Sequence, residues 1–267
     1  MRIGPETRAL VTGASRGIGR ALAVVLAGRG ATLGLAARSA SELEQLAGAL
    51  GGTGQYVPLP CDVTDVDALS EAVTRFRTLA NGLDLVVANA GIAHYGPFAT
   101  TPFERARAMT EVNWVGTLNL VSAALPHLLE QGSGQIVIVS SGAGIRSFPS
   151  AAVYGATKAA QRGFGEALRH ELAGTGVGVT LVYPGEIATA LHDHEKATMP
   201  AWYRGGPDAV PAEKLAERIV AGVEADARAV YYPGLVRVLR VVHGLSPRLG
   251  DRFLRALRGP TAAQRLD

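Results

Sequence analysis

Tyr154 and Lys158 stand four residues apart in Tyr154-Gly155-Ala156-Thr157-Lys158, and Ser141 lies thirteen residues before the tyrosine. On a helix, residues four apart share a face, so an ammonium and a phenol would address one small volume. A free phenol ionises near pKa ~10. A fixed cation beside it stabilises the phenolate and draws that value toward neutral pH. Such a tyrosine can exchange a proton with a substrate oxygen, and a serine hydroxyl from a neighbouring strand end could hold that oxygen in place. Ser140 is the rival for this task. Adjacent strand residues point to opposite faces, so only one serine can face the tyrosine, and the spacing favours Ser141.

The elements that would position these groups begin upstream. Thr12-Gly13-Ala14-Ser15-Arg16-Gly17-Ile18-Gly19 follows the apolar run Ala9-Leu10-Val11 and opens a helical stretch, Arg20 to Ala27. In a strand, Gly-rich turn and helix of this kind, Gly13 permits the tight turn and Gly17 lets the backbone approach a pyrophosphate. Gly19 lets helix and sheet pack closely. The helix N-terminus then offers free N–H groups to phosphates, which makes Gly13, Ser15, Arg16, Gly17, Ile18 and Gly19 candidate cofactor residues.

Apolar runs predict strands over 8–12, 31–36, 55–61, 84–88, 135–141, 177–183 and 228–232. Helices are expected over about 17–29, 41–50, 65–79, 102–130, 151–173 and 211–224. Short apolar strands suit a parallel sheet buried on both faces. The expected fold is α/β: a three-layer, doubly wound sheet of about seven parallel strands with helices on both faces. Ligands of such sheets bind at the carboxyl ends of the strands, where Thr12, Arg38, Asp62, Asn89, Ser141 and Pro184 all fall.

The motifs Thr-Gly-x-x-x-Gly-x-Gly, Asn89-Ala90-Gly91, the serine and Tyr-x-x-x-Lys, in this order, resemble the short-chain dehydrogenase/reductase family. The resemblance covers about residues 8–233 and implies a Rossmann-type oxidoreductase using a nicotinamide cofactor. By it, Ser141 hydrogen-bonds the substrate oxygen, Tyr154 is the proton donor or acceptor, and Lys158 also binds the nicotinamide ribose. Asn113 would hold a water behind the lysine as a proton relay. Asp62 and Val63 would contact adenine, although Asp62 could equally be an N-cap or turn carboxylate. Asn89, Ala90 and Gly91 would steady the sheet and border the cofactor, with Ala88 where the family usually has a second asparagine. Pro184 and Gly185 would meet the nicotinamide, with the Ile187 backbone and the Thr189 hydroxyl on its carboxamide. Family members are commonly dimers or tetramers, so a homo-oligomer is expected.

NAD-preferring sites place a carboxylate after the second strand. Here that strand ends in Ala37-Arg38-Ser39, and Arg16 adds a second cation within the glycine turn. Both would attract a 2′-phosphate, so NADP(H) is expected over NAD(H). The reaction is then reduction of a carbonyl, or oxidation of the matching secondary alcohol. Candidate substrate contacts are His94, Tyr95, Ile145, Phe148, Trp202 and Tyr203. Their apolar and aromatic character suits a lipid, steroid-like or acyl compound, though each aromatic could be ordinary packing. The alternative is a non-catalytic NADP(H)-binding redox sensor or regulator, since folds host unrelated functions. The set Asn113, Ser141, Tyr154 and Lys158 favours an enzyme.

Other classes fit less well. Cys61 is the one cysteine, which rules out an intrachain disulfide and a cysteine metal site. His192 and His194 could form a metal pair, but no third ligand accompanies them, so no metal is expected. The chain carries +3 overall, while residues 235–258 hold six arginines against one aspartate. Basic character therefore belongs to the tail and not to a domain face, which argues against nucleic acid. Met1 to Arg8 is too short and polar for a signal peptide, and no uncharged run approaches the ~18 residues of a membrane span. A cytoplasmic location is expected. Residues 1–234 should form the dinucleotide-binding and catalytic unit, with a substrate lid at about 190–210. Residues 235–267 read as a basic, amphipathic helical extension packed on it. There Leu235, Val238, Leu239, Val242 and Leu245 follow helical spacing, and Leu249, Phe253 and Leu257 oppose Arg248, Arg252 and Arg255. These helices could cover the pocket, form an oligomer interface, or touch an anionic membrane.

Overall fold

The computed structural model describes residues 1–189 and 209–258, without the side chains of residues 254, 255, 257 and 258. The expected lid, with His192, His194, Trp202 and Tyr203, lies outside the described residues apart from its last two positions.

Nine strands are described: β1 (Arg8–Thr12), β2 (Thr32–Ala37), β3 (Tyr56–Pro60), β4 (Leu85–Ala88), β5 (Gly134–Val139), β6 (Val177–Pro184), β7 (Ile187–Ala188), β8 (Val210–Pro211) and β9 (Ala229–Tyr232). Seven of them form one parallel sheet in the order β3-β2-β1-β4-β5-β6-β9. The short strands β7 and β8 pair separately. Seven parallel strands, as expected, form a doubly wound sheet whose order reverses between β1 and β4. The crevice at that reversal is where such sheets bind ligands.

Side-chain alternation sorts the core into two layers. Val11 joins Leu22, Leu26, Leu43 and Leu215 on one face of the sheet, while its neighbour Leu10 joins Leu69, Phe76, Leu120 and Leu168 on the other. The first layer is supplied by helices α1 (Gly17–Gly28), α2 (Ala40–Leu50) and α7 (Ala212–Glu224), described in chain order with the rest. The second is supplied by α3 (Val66–Ala80), α5 (Gly116–Gln131) and α6 (Ala152–Glu171).

Local chemistry sets the helix ends. Ser39 Oγ accepts from the Glu42 N–H at 3.3 Å to start α2, and Asp65 Oδ1 accepts from the N–H groups of Asp67 and Ala68 to start α3. Asn81 and Gly132 close α3 and α5 in the left-handed region. The helix expected over 102–130 is interrupted. Helix α4 (Phe103–Met109) passes into a π turn over Thr110–Val115 before α5 begins. Apolar periodicity carries no signature of a π turn, and this one holds Asn113.

Beyond β9 come α8 (Leu235–Leu245) and α9 (Pro247–Arg258). Val236 packs on Gly142 and Gly185, where an added Cβ would approach it to 3.6 and 3.0 Å. Arg146 Nε donates to Asp251 Oδ1 at 2.7 Å, tying α9 to the loop after Ser141. No helix among the described residues is long and apolar enough to cross a membrane.

Candidate active site

The carboxyl ends of the sheet surround a cavity of about 700 Å3. The β1–α1 turn contributes Gly13, Ser15, Arg16, Gly17 and Ile18; the end of β2 contributes Arg38; and the end of β3 contributes Asp62 and Val63. Asn89, Ala90 and Gly91 follow β4, Ser140 and Ser141 follow β5, and Pro184, Gly185, Ile187 and Thr189 come from β6 and β7. Tyr154 and Lys158 enter from α6, and His94 stands beside them.

The phosphate side is built by close approach. An added Cβ at Gly19 would strike the Gly13 carbonyl and sit 2.6 Å from Asn89 Nδ2, so only glycine lets α1 start this near the turn. Asn89 Nδ2 donates to the Thr12 carbonyl at 2.9 Å, and Thr12 Oγ1 accepts from the Asn89 N–H at 3.1 Å. These bonds tie β1 to β4 across the crevice. Asp62 is a turn carboxylate: its Oδ1 accepts from Thr64 N and Oγ1, both at 2.9 Å. Asp65 is the residue that caps α3. Arg16 and Arg38 both line the cavity, as does Glu42 from α2, and no acidic residue stands at the end of β2.

At the other end, Tyr154 is 6% exposed and Lys158 4%. Lys158 Nζ donates to the Val139 carbonyl at 3.0 Å and lies 5.9 Å from the Tyr154 ring centroid. Burial pulls the ammonium down to about 7. Contrary to the downward pull expected from Lys158, burial dominates and pushes the Tyr154 phenol above its ordinary value, with Ser141 alone opposing the shift. Ser140 Oγ donates to the Lys158 carbonyl at 2.7 Å as an internal tie, whereas Ser141 Oγ accepts from the Ala143 N–H at 3.1 Å and lies on the phenol side.

Asn113 is fully buried. Its Oδ1 accepts from the Ile92 N–H at 2.8 Å, and its Nδ2 donates to the Ile92 carbonyl at 3.0 Å and to Thr157 Oγ1 at 3.1 Å. The π turn thus locks the strand β4 exit to α6, one residue from Lys158. Its carbonyl accepts from Gln161 Nε2 and Thr117 Oγ1, both at 2.8 Å. Gln161, Thr117 and Thr157 belong to this support and were not singled out by motif. The legible signal for Gln161 is its period: Tyr154, Lys158 and Gln161 share one helical stripe.

Three substrate candidates, Tyr95, Phe148 and Ile145, are not among the residues that line the cavity. Tyr95 stacks on Phe148 with centroids 6.0 Å apart and meets Tyr154 edge-on at 5.9 Å. Ile145 sits in the core layer beneath α6. Of the described candidates only His94 borders the cavity, with Ile92, Ala108 and Val112 nearby.

Comparison with known proteins agrees with this geometry. The sequence profile for short chain dehydrogenases matches residues 7–200. An uncharacterized oxidoreductase of Myxococcus xanthus is 39% identical, over 94% of this chain and 97% of its own. A short chain dehydrogenase from Burkholderia cenocepacia, solved in complex with NADP, is 30% identical with a TM-score of 0.78, covering 97% of this chain and 100% of that one. A short chain dehydrogenase/reductase from Burkholderia phymatum, solved with NAD, shares the fold at 23% identity with a TM-score of 0.82, over 100% and 99% of the two chains. The chain therefore belongs to the short-chain dehydrogenase/reductase family of oxidoreductases.

Proposed function

We propose that this chain is an NADP(H)-dependent reductase of an apolar carbonyl compound, working also as a dehydrogenase of the matching secondary alcohol. The observation that carries the reading is Tyr154, buried, beside Ser141 and one helical turn from Lys158, in a cavity that Arg16 and Arg38 also line. The glycine-floored turn and the cavity fit a dinucleotide. When bound, the nicotinamide supplies or accepts the hydride.

The residues do the rest. Gly13, Ser15, Gly17, Ile18 and Gly19 form the cradle for the pyrophosphate. Arg16 and Arg38 neutralise a 2′-phosphate. The solved neighbours differ in nucleotide, so the preference rests on these two cations. Asp62 and Val63 border adenine; Asn89, Ala90, Gly91, Pro184, Gly185, Ile187 and Thr189 border the nicotinamide half. Ser141 orients the substrate oxygen and Tyr154 Oη gives it a proton. A phenol held above its ordinary pKa stays protonated at neutral pH, the form that a donor to a carbonyl needs. Lys158, near 7, can pass a proton back toward the phenol. Asn113 braces this group. His94 with the apolar Ile92, Ala108 and Val112 points to an apolar substrate. A cytoplasmic homo-oligomer, joined through α5 and α6, completes the proposal.

The test is NADPH consumption against carbonyl compounds graded from small diketones to steroids and long-chain acyl thioesters. Turnover of one class, lost in Tyr154→Phe with NADPH binding kept, is expected. Arg38→Asp should lower the NADP/NAD ratio of kcat/KM. Tight NADPH binding without turnover across the panel would favour the regulatory alternative.

A further inference from the structure

The two C-terminal helices leave an apolar stripe uncovered. Helix α8 is held by one edge, through the buried Val236 and Leu239. Along another side, Leu235, Val238, Val241 and Leu245 are 47, 45, 56 and 77% exposed, and Leu249 of α9 is 46% exposed. Single exposed aliphatics are ordinary, but a run of them on one helix is not. The spacing of three and four residues places the four α8 residues on one face.

Cations border this face. Arg237, Arg248 and Arg252 are exposed. Arg240 is partly engaged, lying over the Tyr231 ring with its centroid 5.5 Å away. The one acid of the two helices, Asp251, is bound by Arg146. Among the described residues no acid pairs with Arg237, Arg248 or Arg252, so the surface is apolar with a basic edge.

We propose that α8 and α9 dock in the headgroup plane of an anionic lipid bilayer. A basic, strongly amphipathic helix too short to span a membrane suits that position. A second copy of this chain is the competing occupant. A two-fold contact would bring the same arginines together, and neither helix carries a spare acid to receive them. Lipid phosphates receive them directly. Helix α8 borders the catalytic end with its buried side, where Val236 packs on Gly142 and Gly185, next to Ser141 and Pro184, while the stripe faces away from it. The docking itself does not depend on which compound is reduced.

The experiment is co-sedimentation of the full chain with phosphatidylglycerol-containing vesicles and with phosphatidylcholine vesicles, alongside Val241→Asp/Leu245→Asp. Both positions are exposed, so the variant should fold, and thermal melting checks that it does. The expected result is at least about tenfold more protein on anionic than on neutral vesicles. High salt should weaken this binding, and the variant should lose it by about tenfold. Negligible sedimentation with both vesicles would overturn the proposal, as would a variant that sediments like the parent. An oligomer that the variant splits, with no vesicle binding by the parent, would assign the stripe to a second copy instead.

Discussion

Lys158 is the residue whose charge the fold works hardest to control. In a denatured chain it would hold its proton up to about 10.5, but folded it releases it near 7. Between those values the unfolded state binds more protons than the native one, so this group makes stability rise with pH from about 7 toward 10.5. Tyr154, held above its ordinary value, acts in the opposite sense only above about 10. Thermal melting of the cofactor-free protein should therefore increase between pH 7 and 9, and Lys158→Met should flatten that rise. A slope unchanged in the variant would show that the lysine keeps its charge when folded. The Tyr154–Lys158 spacing was legible at once, because the helical repeat alone brings the two together. The value near 7 was not: it comes from burial beneath β5, which no local spacing records. Ser140 and Ser141 show the same division. Alternation says that one must turn inward, and the bond to the Lys158 carbonyl shows that it is Ser140.

At the scale of elements, the π turn at Thr110–Val115 and helix α6 act as one support. Asn113 reaches Ile92 on one side and Thr157 on the other, while Gln161 holds the Asn113 carbonyl and Thr117. Gln161 Oε1 is buried without a partner. Removing Gln161 thus deletes two hydrogen bonds worth about 1 kcal/mol each and relieves one unsatisfied acceptor of similar cost. We expect Gln161→Leu to change melting little but to shift the pH profile of kcat, with KM for NADPH kept, because the Asn113 carbonyl then loses one of its two donors and Asn113 is held less firmly against the helix that carries Lys158. An unaltered pH profile would leave Gln161 as a packing residue. The motif around Asn113 was readable from the sequence; its π geometry was not, since that depends on partners 21 and 44 residues away.

Over the whole molecule, the sheet divides two apolar layers whose members alternate along each strand. Leu10 is fully buried among Leu69, Phe76 and Leu120. Leu10→Ala should cost about 2–5 kcal/mol and lower Tm by roughly 2–4 °C per kcal/mol in a chain of this size. A loss under about 1 kcal/mol would mean that the layer collapses around the gap. The seven strands, the glycine turn, the Tyr154–Lys158 spacing and the absence of a carboxylate after β2 were all determined by the sequence, because each is a pattern within a few turns or strands. Tertiary structure alone decided that Tyr95 meets the Tyr154 ring and stacks on Phe148, and that α8 turns an apolar stripe outward. Those outcomes depend on which distant surface each side chain meets. Periodicity gives a helix its two faces, but only the packed neighbours determine which face is covered.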